Sequence, residues 1–211
     1  MLRRPVESGQ YADTSPHSRF TTANEVHIPV GAPVVFLLTA RDVIHSFWVP
    51  NLGGKKDLIP GYTQTVWFRA DTPGVYRGQC AEFCGLQHAK MGLLVIADPP
   101  DRYAAWMRQM QQPGAAPTDS LARRGEQVFM SGTCVMCHAI EGTHARSVAG
   151  PDLTHLASRQ TIAAATLPNN RGNLGGWIAD PQRIKPGTHM PPNVLPPEEL
   201  NALLTYLQTL R

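Results

Sequence analysis

Cys80-Ala-Glu82-Phe-Cys84-Gly-Leu-Gln-His88-Ala-Lys-Met91 places two thiols, an imidazole and a thioether in one short segment, directly after a run that reads as a strand, Val75 to Gly78. Soft sulfur together with imidazole selects copper, iron or zinc over magnesium or calcium. A mononuclear copper loop needs one cysteine. The second, with another histidine upstream in Asp42-Val-Ile-His45-Ser-Phe-Trp48, allows a dinuclear centre bridged by both sulfurs. A structural zinc site, or a disulfide beside a satisfied core histidine, is the alternative, and neither accounts for the His45 motif.

The sequence around this loop reads as short strands. Val26, Ile28 and Val30 alternate with Glu25, His27 and Pro29, a half-buried strand whose proline suits an edge, and Val34 to Leu38 is a continuous apolar run suited to burial on both faces. Val43 to Val49, Thr63 to Ala70, Val75 to Gly78 and Met91 to Ala97 follow, parted by turn signals such as Pro50-Asn51 and Pro60-Gly61. Strands at this spacing with no helix between them favour an antiparallel sandwich or barrel. From Asp101 to Gln112 the period changes: Tyr103, Met107 and Met110 share one helical face, and this helix closes a first domain over 1–112.

Residues 113–119 hold two prolines and read as a short, stiff linker. The second domain, 120–211, reads as helical. A first helix covers about Leu121 to Met130. A last one begins near Pro197 and carries Leu200, Leu203, Leu204, Leu207 and Leu210 as an apolar stripe. Pro151, Pro168, Pro181, Pro186 and Pro191-Pro192 forbid long regular elements between them.

In this second domain Cys134-Val-Met-Cys137-His138 fits the pattern for covalent attachment of a c-type haem, both thiols forming thioethers and the histidine becoming the proximal iron ligand. A thioredoxin-like pair or part of a zinc site is the alternative, without a βαβ context or a second Cys/His pair to support it. The sixth ligand must come from the opposite side of the ring, which eliminates Met136 and disfavours Met130. Met190 remains, in the proline-bounded loop Pro186-Gly-Thr-His-Met190-Pro-Pro192, with His189 as its rival. A Met/His pair raises the potential relative to bis-histidine and favours electron transfer over ligand chemistry.

The composition limits the remaining choices. The 211 residues suit two small domains, and 42% hydrophobic with 17% charged residues is globular. A net charge of +3 with scattered basic residues excludes a phosphate-tracking surface, so nucleic acid is not expected. The longest apolar runs, Val34 to Leu38 and Leu93 to Ala97, fall far short of a membrane span, and no secretory signal is seen. The chain as given reads as soluble, and its abrupt Met1-Leu2-Arg3-Arg4 start fits an excised portion of something longer. Four cysteines in two tight local pairs suit metal or cofactor attachment better than a disulfide framework.

Residues 22–98 resemble the CuA domain of cytochrome c oxidase subunit II, a cupredoxin-type Greek-key barrel. That resemblance implies Cys80 and Cys84 as bridging thiolates, His45 and His88 as terminal ligands, and Met91 and the Glu82 carbonyl as weaker ones. It further implies a magnesium ion near the Glu82 side chain at the boundary with the catalytic subunit. Asp57-Leu-Ile-Pro60-Gly61 and Gly74-Val-Tyr76-Arg77 match the family's turns, whereas Tyr62 stands where the family often has arginine. The family's two amino-terminal membrane helices and aromatic-rich segment are not in this sequence. The apolar neighbours Phe47, Trp48 and Phe83 are expected either to limit water at the metal or to pack as ordinary core.

The second domain resembles class I cytochromes c over essentially its whole length. This implies Gly125 and Phe129 on the first helix meeting the last helix near Tyr206, a Pro151 carbonyl accepting the proximal imidazole N–H, and Trp177 reaching a haem propionate. The expected architecture is thus an all-β cupredoxin-like Greek-key barrel followed by an all-α class I cytochrome c domain.

Together the resemblances imply subunit II of a haem-c-containing terminal oxidase, with two coppers and one covalent haem c. An external donor such as a soluble or membrane-bound cytochrome c would reduce the haem, the haem would reduce the copper pair, and catalytic subunit I would receive the electron. The setting would be the periplasmic face of the bacterial cytoplasmic membrane, within a membrane complex. Other classes carrying part of the pattern are the copper module of a nitric oxide or nitrous oxide reductase, and a non-enzymatic copper carrier or redox sensor. The first needs partner domains; the second needs no covalent haem.

Overall fold

The computed structural model describes residues 2–3 and 20–211; Met1 and Arg4 of the expected cut end lie outside them. The chain divides into two compact units, with the break between Gln111 and Gln112.

The first unit is built from strands β1 (Leu2–Arg3), β2 (Glu25–Pro29), β3 (Val34–Leu38), β4 (His45–Trp48), β5 (Lys56–Leu58), β6 (Gln64–Phe68), β7 (Gly74–Cys80) and β8 (Gly92–Asp98), followed by helix α1 (Pro100–Gln109). They form two sheets, β1-β3-β6 and β2-β8-β7-β4-β5. The sheets share one core, where Ile28, Val95 and Ala97 of the larger meet Val34, Phe36, Leu38 and Phe68 of the smaller. The Phe47 ring packs on Phe36 and Phe68 at centroid distances of 5.2 and 5.9 Å, so Phe47 belongs to the core.

Three details depart from the sequence reading. β3 is buried at Val34, Phe36 and Leu38 but only half-buried at Val35 and Leu37, because its sheet is covered on one face. β2 pairs with β8 in parallel, although every other pair in that sheet is antiparallel. β2 also fails to alternate cleanly: Glu25 and Pro29 are buried. Between them, α1 places Trp106 on His27 at 4.3 Å while the His27 Nδ1 bonds the Asp98 carboxylate. Pro29 does sit on an edge strand, as its missing N–H requires.

In the second unit, α2 (Ser120–Ser131) starts at Asp119, whose carboxylate accepts the Ala122 N–H at 2.8 Å. α3 (Arg171–Ala179) is capped in the same way by Asn170. α4 (Pro181–Ile184) follows at once, and α5 (Pro197–Leu207) ends the chain's regular structure. A two-residue hairpin, β9 (Thr161–Ile162) with β10 (Leu167–Pro168), interrupts the all-helical expectation. Its turn, Ala163 to Ala165, is left-handed throughout, and the Lys185 ammonium donates to the Ala163 carbonyl at 3.3 Å.

The core joins Phe129 of α2, Leu174 and Ile178 of α3 and Leu203, Leu204, Tyr206 and Leu207 of α5. Helices α2 and α5 approach most closely at Gly125, where a Cβ would stand 2.0 Å from the Ala202 carbonyl oxygen. Residues 113–119 are mostly exposed, but Gly114 is tied to this unit by donating to the Glu141 carbonyl at 2.9 Å. Among the described residues no helix is long and apolar enough to cross a membrane.

Candidate metal centres

In the first unit the sheet brings the sulfur-rich loop to the upstream histidine. β4 and β7 are neighbours, with Phe47 opposite Cys80, so His45 at the start of one strand lies beside Cys80 at the end of the other. The loop is closed at its base by the Cys80 N–H donating to the Met91 carbonyl at 2.9 Å, and Ala81 N–H donates to the Ser46 carbonyl at 3.0 Å. Gly85, at φ +107°, turns the chain back on itself in a conformation that disfavours other residues.

The result is a cluster of donor atoms. Cys80 Sγ and Cys84 Sγ are 3.7 Å apart; His45 Nδ1 is 3.9 Å from the first and His88 Nδ1 is 3.8 Å from the second. Met91 Sδ lies 3.8 Å from Cys84 Sγ, and the Glu82 carbonyl oxygen 3.2 Å from Cys80 Sγ. The cysteines are free thiols. A disulfide would need about 2.05 Å, so the separation excludes one, while metal–sulfur bonds of about 2.3 Å let both sulfurs share an ion.

The local electrostatics favour a cation. Burial pushes the Cys80 thiol up, but backbone hydrogen bonding at Ser46 and Glu82 and the rings of His45 and His88 overcome it and bring it down to about 6. Burial, then the hydrogen bond and charge of Cys80, push Cys84 up to about 11. Two sulfurs this close cannot both carry charge cheaply without a cation between them. The outer nitrogen of His45, Nε2, is held by the Asp42 carboxylate at 2.9 Å. Burial opposes protonation of His45, and the bonds to Asp42 and Cys80 reverse that and raise it. The His45 bond in turn lowers Asp42.

Phe83 is 78% exposed, with its ring 5.7 Å from His88, so it does not shield the cluster from water as one expectation held. Asp42 was missed, although its position three residues before His45 could have suggested it.

The second unit gathers the other predicted residues. A tight turn makes His138 N–H and Cys137 N–H donate to the Cys134 carbonyl at 3.0 and 3.1 Å, which brings both thiols and the imidazole into one short segment. His138 Nδ1 donates to the Pro151 carbonyl at 2.8 Å, so Nε2 is left as the lone-pair nitrogen. Burial, followed by the Arg159 charge, lowers His138 despite that bond, which disfavours its protonated form. Gly150 makes room for the ring: a Cβ there would stand 2.9 Å from His138 Cε1. Burial raises the Cys134 thiol. Met190 and Trp177 both pack against the helical core, whereas His189 is exposed. Phe129 and Tyr206 meet edge to face at 6.2 Å.

A β-sandwich that presents two thiols, two imidazoles and a thioether, followed by a helical unit with a Cys-x-x-Cys-His turn, defines a two-domain protein with a candidate metal centre in the first domain and a haem-attachment motif in the second. The comparisons agree. Residues 6–97 match the family described as cytochrome C oxidase subunit II, periplasmic domain, and residues 122–211 match cytochrome c. The first unit thus carries a cytochrome c oxidase subunit II periplasmic domain and the second a cytochrome c domain.

Over 194 residues it is 47% identical to cytochrome c oxidase subunit 2 of Alkalihalophilus pseudofirmus, covering 91% of this chain and 56% of that protein. Over 202 residues it is 35% identical to the subunit 2 of Bacillus sp. (strain PS3), covering 90% and 56%. Both relatives are subunits of an oxidoreductase complex, and this chain spans little more than half their length. Among solved structures, the periplasmic domain of subunit II of cytochrome oxidase of Bradyrhizobium japonicum is 29% identical, with a TM-score of 0.41, over 52% of this chain and 75% of that one. The first domain's family implies copper, which the His45, Cys80 and Cys84 cluster fits, and the second domain's family implies haem.

Proposed function

We propose that this chain is the electron-relay portion of subunit II of a terminal oxidase, with domains over 1–112 and 120–211 joined through 113–119. Electrons from an external donor, such as a cytochrome c, enter the second domain, pass to the first and leave for catalytic subunit I. The observation that carries this reading is the pair of sulfurs 3.7 Å apart with an imidazole Nδ1 facing each. The relatives from Alkalihalophilus pseudofirmus and Bacillus sp. (strain PS3) are named as oxidase subunits, which favours the oxidase over a nitrogen-oxide reductase.

When bound, a copper pair and a covalent haem c supply one-electron redox chemistry. The residues' part is to hold and enclose. Cys80, Cys84, His45 and His88 would hold the coppers, with Met91 and the Glu82 carbonyl as weaker donors. Asp42 fixes the His45 ring so that Nδ1 faces inward. A centre set on a loop anchored at both ends keeps its geometry through an electron's arrival, and small reorganisation means fast transfer. In the second domain Cys134 and Cys137 would tether the porphyrin, His138 Nε2 and Met190 would hold its iron, and the Pro151 carbonyl would fix the His138 tautomer. Trp177 would reach a propionate. The Glu82 carboxylate would take magnesium in the full complex. That complex would stand at the periplasmic face of the bacterial cytoplasmic membrane.

The test is to mix the metal-loaded chain with a limiting amount of reduced cytochrome c and follow the haem and copper absorption separately. The copper absorption should bleach as the haem gives up its electron. In Cys84→Ser the haem spectrum should persist and the electron should remain on the haem. A copper band that never responds in the parent chain would overturn the relay.

A further inference from the structure

We propose that Gln182 is a positioning residue for the methionine loop: its carboxamide clamps residues 187–190 and so fixes where the Met190 sulfur stands. The inference rests on Met190 as the axial ligand and adds what keeps it there.

The loop needs an external support. It forms neither helix nor strand, and Pro186, Pro191 and Pro192 have no N–H to donate. Gly187, at φ +82°, turns it sharply. Gln182 supplies the bonds the backbone does not make. Its Nε2 donates to the carbonyls of Thr188 at 2.8 Å and Met190 at 3.0 Å. Its Oε1 accepts the Gly187 N–H at 2.9 Å. Both donors and the acceptor of one amide are thus spent on a single four-residue stretch that ends at the ligand.

The clamp is itself anchored. Gln182 lies on α4, whose first residue, Pro181, is buried, and whose start is capped by the Asp180 carboxylate accepting the Arg183 N–H at 3.3 Å. The residue just after α4, Lys185, is buried and tied to the Ala163 carbonyl. A thioether is a neutral, weak donor to iron, so its bond competes with the freedom the loop would gain on leaving. Holding the loop near its bound position removes most of that competing entropy. Gln182 touches no reacting atom; it acts through Met190.

The geometry also selects glutamine. Glutamate at this position would keep an acceptor for Gly187 but turn a carboxylate toward two carbonyls. Leucine would fill the volume and make no bond.

The experiment uses the haem-loaded chain with Gln182→Glu, Gln182→Leu, Met190→Leu and, as a control on the same short helix, Arg183→Ala. Two readouts are taken: the sulfur-to-iron absorption band of the ferric haem, and the affinity of free imidazole, which enters only when the sulfur leaves. Each lost hydrogen bond should favour opening about fivefold, so Gln182→Glu, which loses two, should bind imidazole roughly 25-fold more tightly and Gln182→Leu, which loses three, roughly 125-fold, both losing intensity in the band. Arg183→Ala should match the parent. Met190→Leu should abolish the band, and a band that survives would overturn the ligand assignment itself. If Met190→Leu abolishes the band while both Gln182 variants keep the parent's imidazole affinity, the clamp alone is overturned. Independently of any variant, the Gly187 amide should be protected from hydrogen exchange in the parent, and exchange at the rate of an exposed amide would refute the clamp.

Discussion

Gly125→Ala should unfold the second domain more readily, against what helix propensity alone would indicate. Alanine in the middle of a helix is worth about 1 kcal/mol over glycine, so on propensity the change stabilises α2. The packing opposes it. The added Cβ would lie 2.0 Å from the Ala202 carbonyl oxygen, 2.5 Å from its carbon and 2.7 Å from Tyr206 Cβ. An ordinary carbon–oxygen approach is about 3.3 Å, so the helices would have to part by more than 1 Å, or about 1.3 Å. None of the three atoms is the end of a flexible side chain, so no rotamer change relieves the contact; α5 must move as a body. That movement opens the contact of Phe129 with Tyr206 and loosens Leu203 and Leu207. Overpacking costs about 1–3 kcal/mol and lies at or above the top of that range where nothing gives, which after the propensity gain leaves a net loss of about 2 kcal/mol or more.

The assay is urea unfolding of the haem-loaded chain followed at the main haem band, which reports the second domain. Gly176→Ala is the internal control, since Gly176 also lies in a helix but has nothing within 4 Å of where its Cβ would be. There the propensity gain acts alone, and stability should rise by about 0.5–1 kcal/mol. If both variants move the midpoint in the same direction, the close helix crossing is not what governs position 125.

Two further outcomes follow from the second domain. Burial, then the charge of Glu126, pushes the Tyr206 hydroxyl up to about 12; because this exceeds its unfolded value of about 10, its contribution is complete below pH 10 and is lost as pH rises through 12, about 2–3 kcal/mol in all. Tyr206→Phe should therefore flatten the fall in urea midpoint above pH 10, and an unchanged fall would assign it to other groups. Gly150→Ala should press a methyl against the His138 ring, strain its bond to Pro151 and give the ferric haem a high-spin absorption component; a spectrum identical to the parent's would contradict the close packing there.

Both candidate sites were legible in the sequence because their residues announce themselves by type and spacing. Cys80, Cys84, His88 and Met91 sit on one loop, and Cys134, Cys137 and His138 on one turn, so proximity along the chain is proximity in space. His45 needed the fold, since it comes from a neighbouring strand. The supporting groups were harder to see. Gln182 is an ordinary helix residue until the loop at 187–190 folds over it, and Gly125 matters only because α5 crosses there. In the barrel, β5 is three half-buried residues containing a lysine and an aspartate, with no hydrophobic period to read. The parallel pairing of β2 with β8 and the cover that α1 gives β2 through Trp106 and His27 are long-range contacts that no local pattern encodes.

The central claim is that paired cysteines in the barrel hold two coppers as one redox unit beside a domain carrying a single haem. Elemental analysis with electron spin resonance of the fully loaded chain tests it most directly. The expected result is two coppers for each covalent haem iron, and a hyperfine pattern with more lines than a single copper nucleus can produce. One exchangeable copper with a single-nucleus pattern, or zinc in its place, would contradict it.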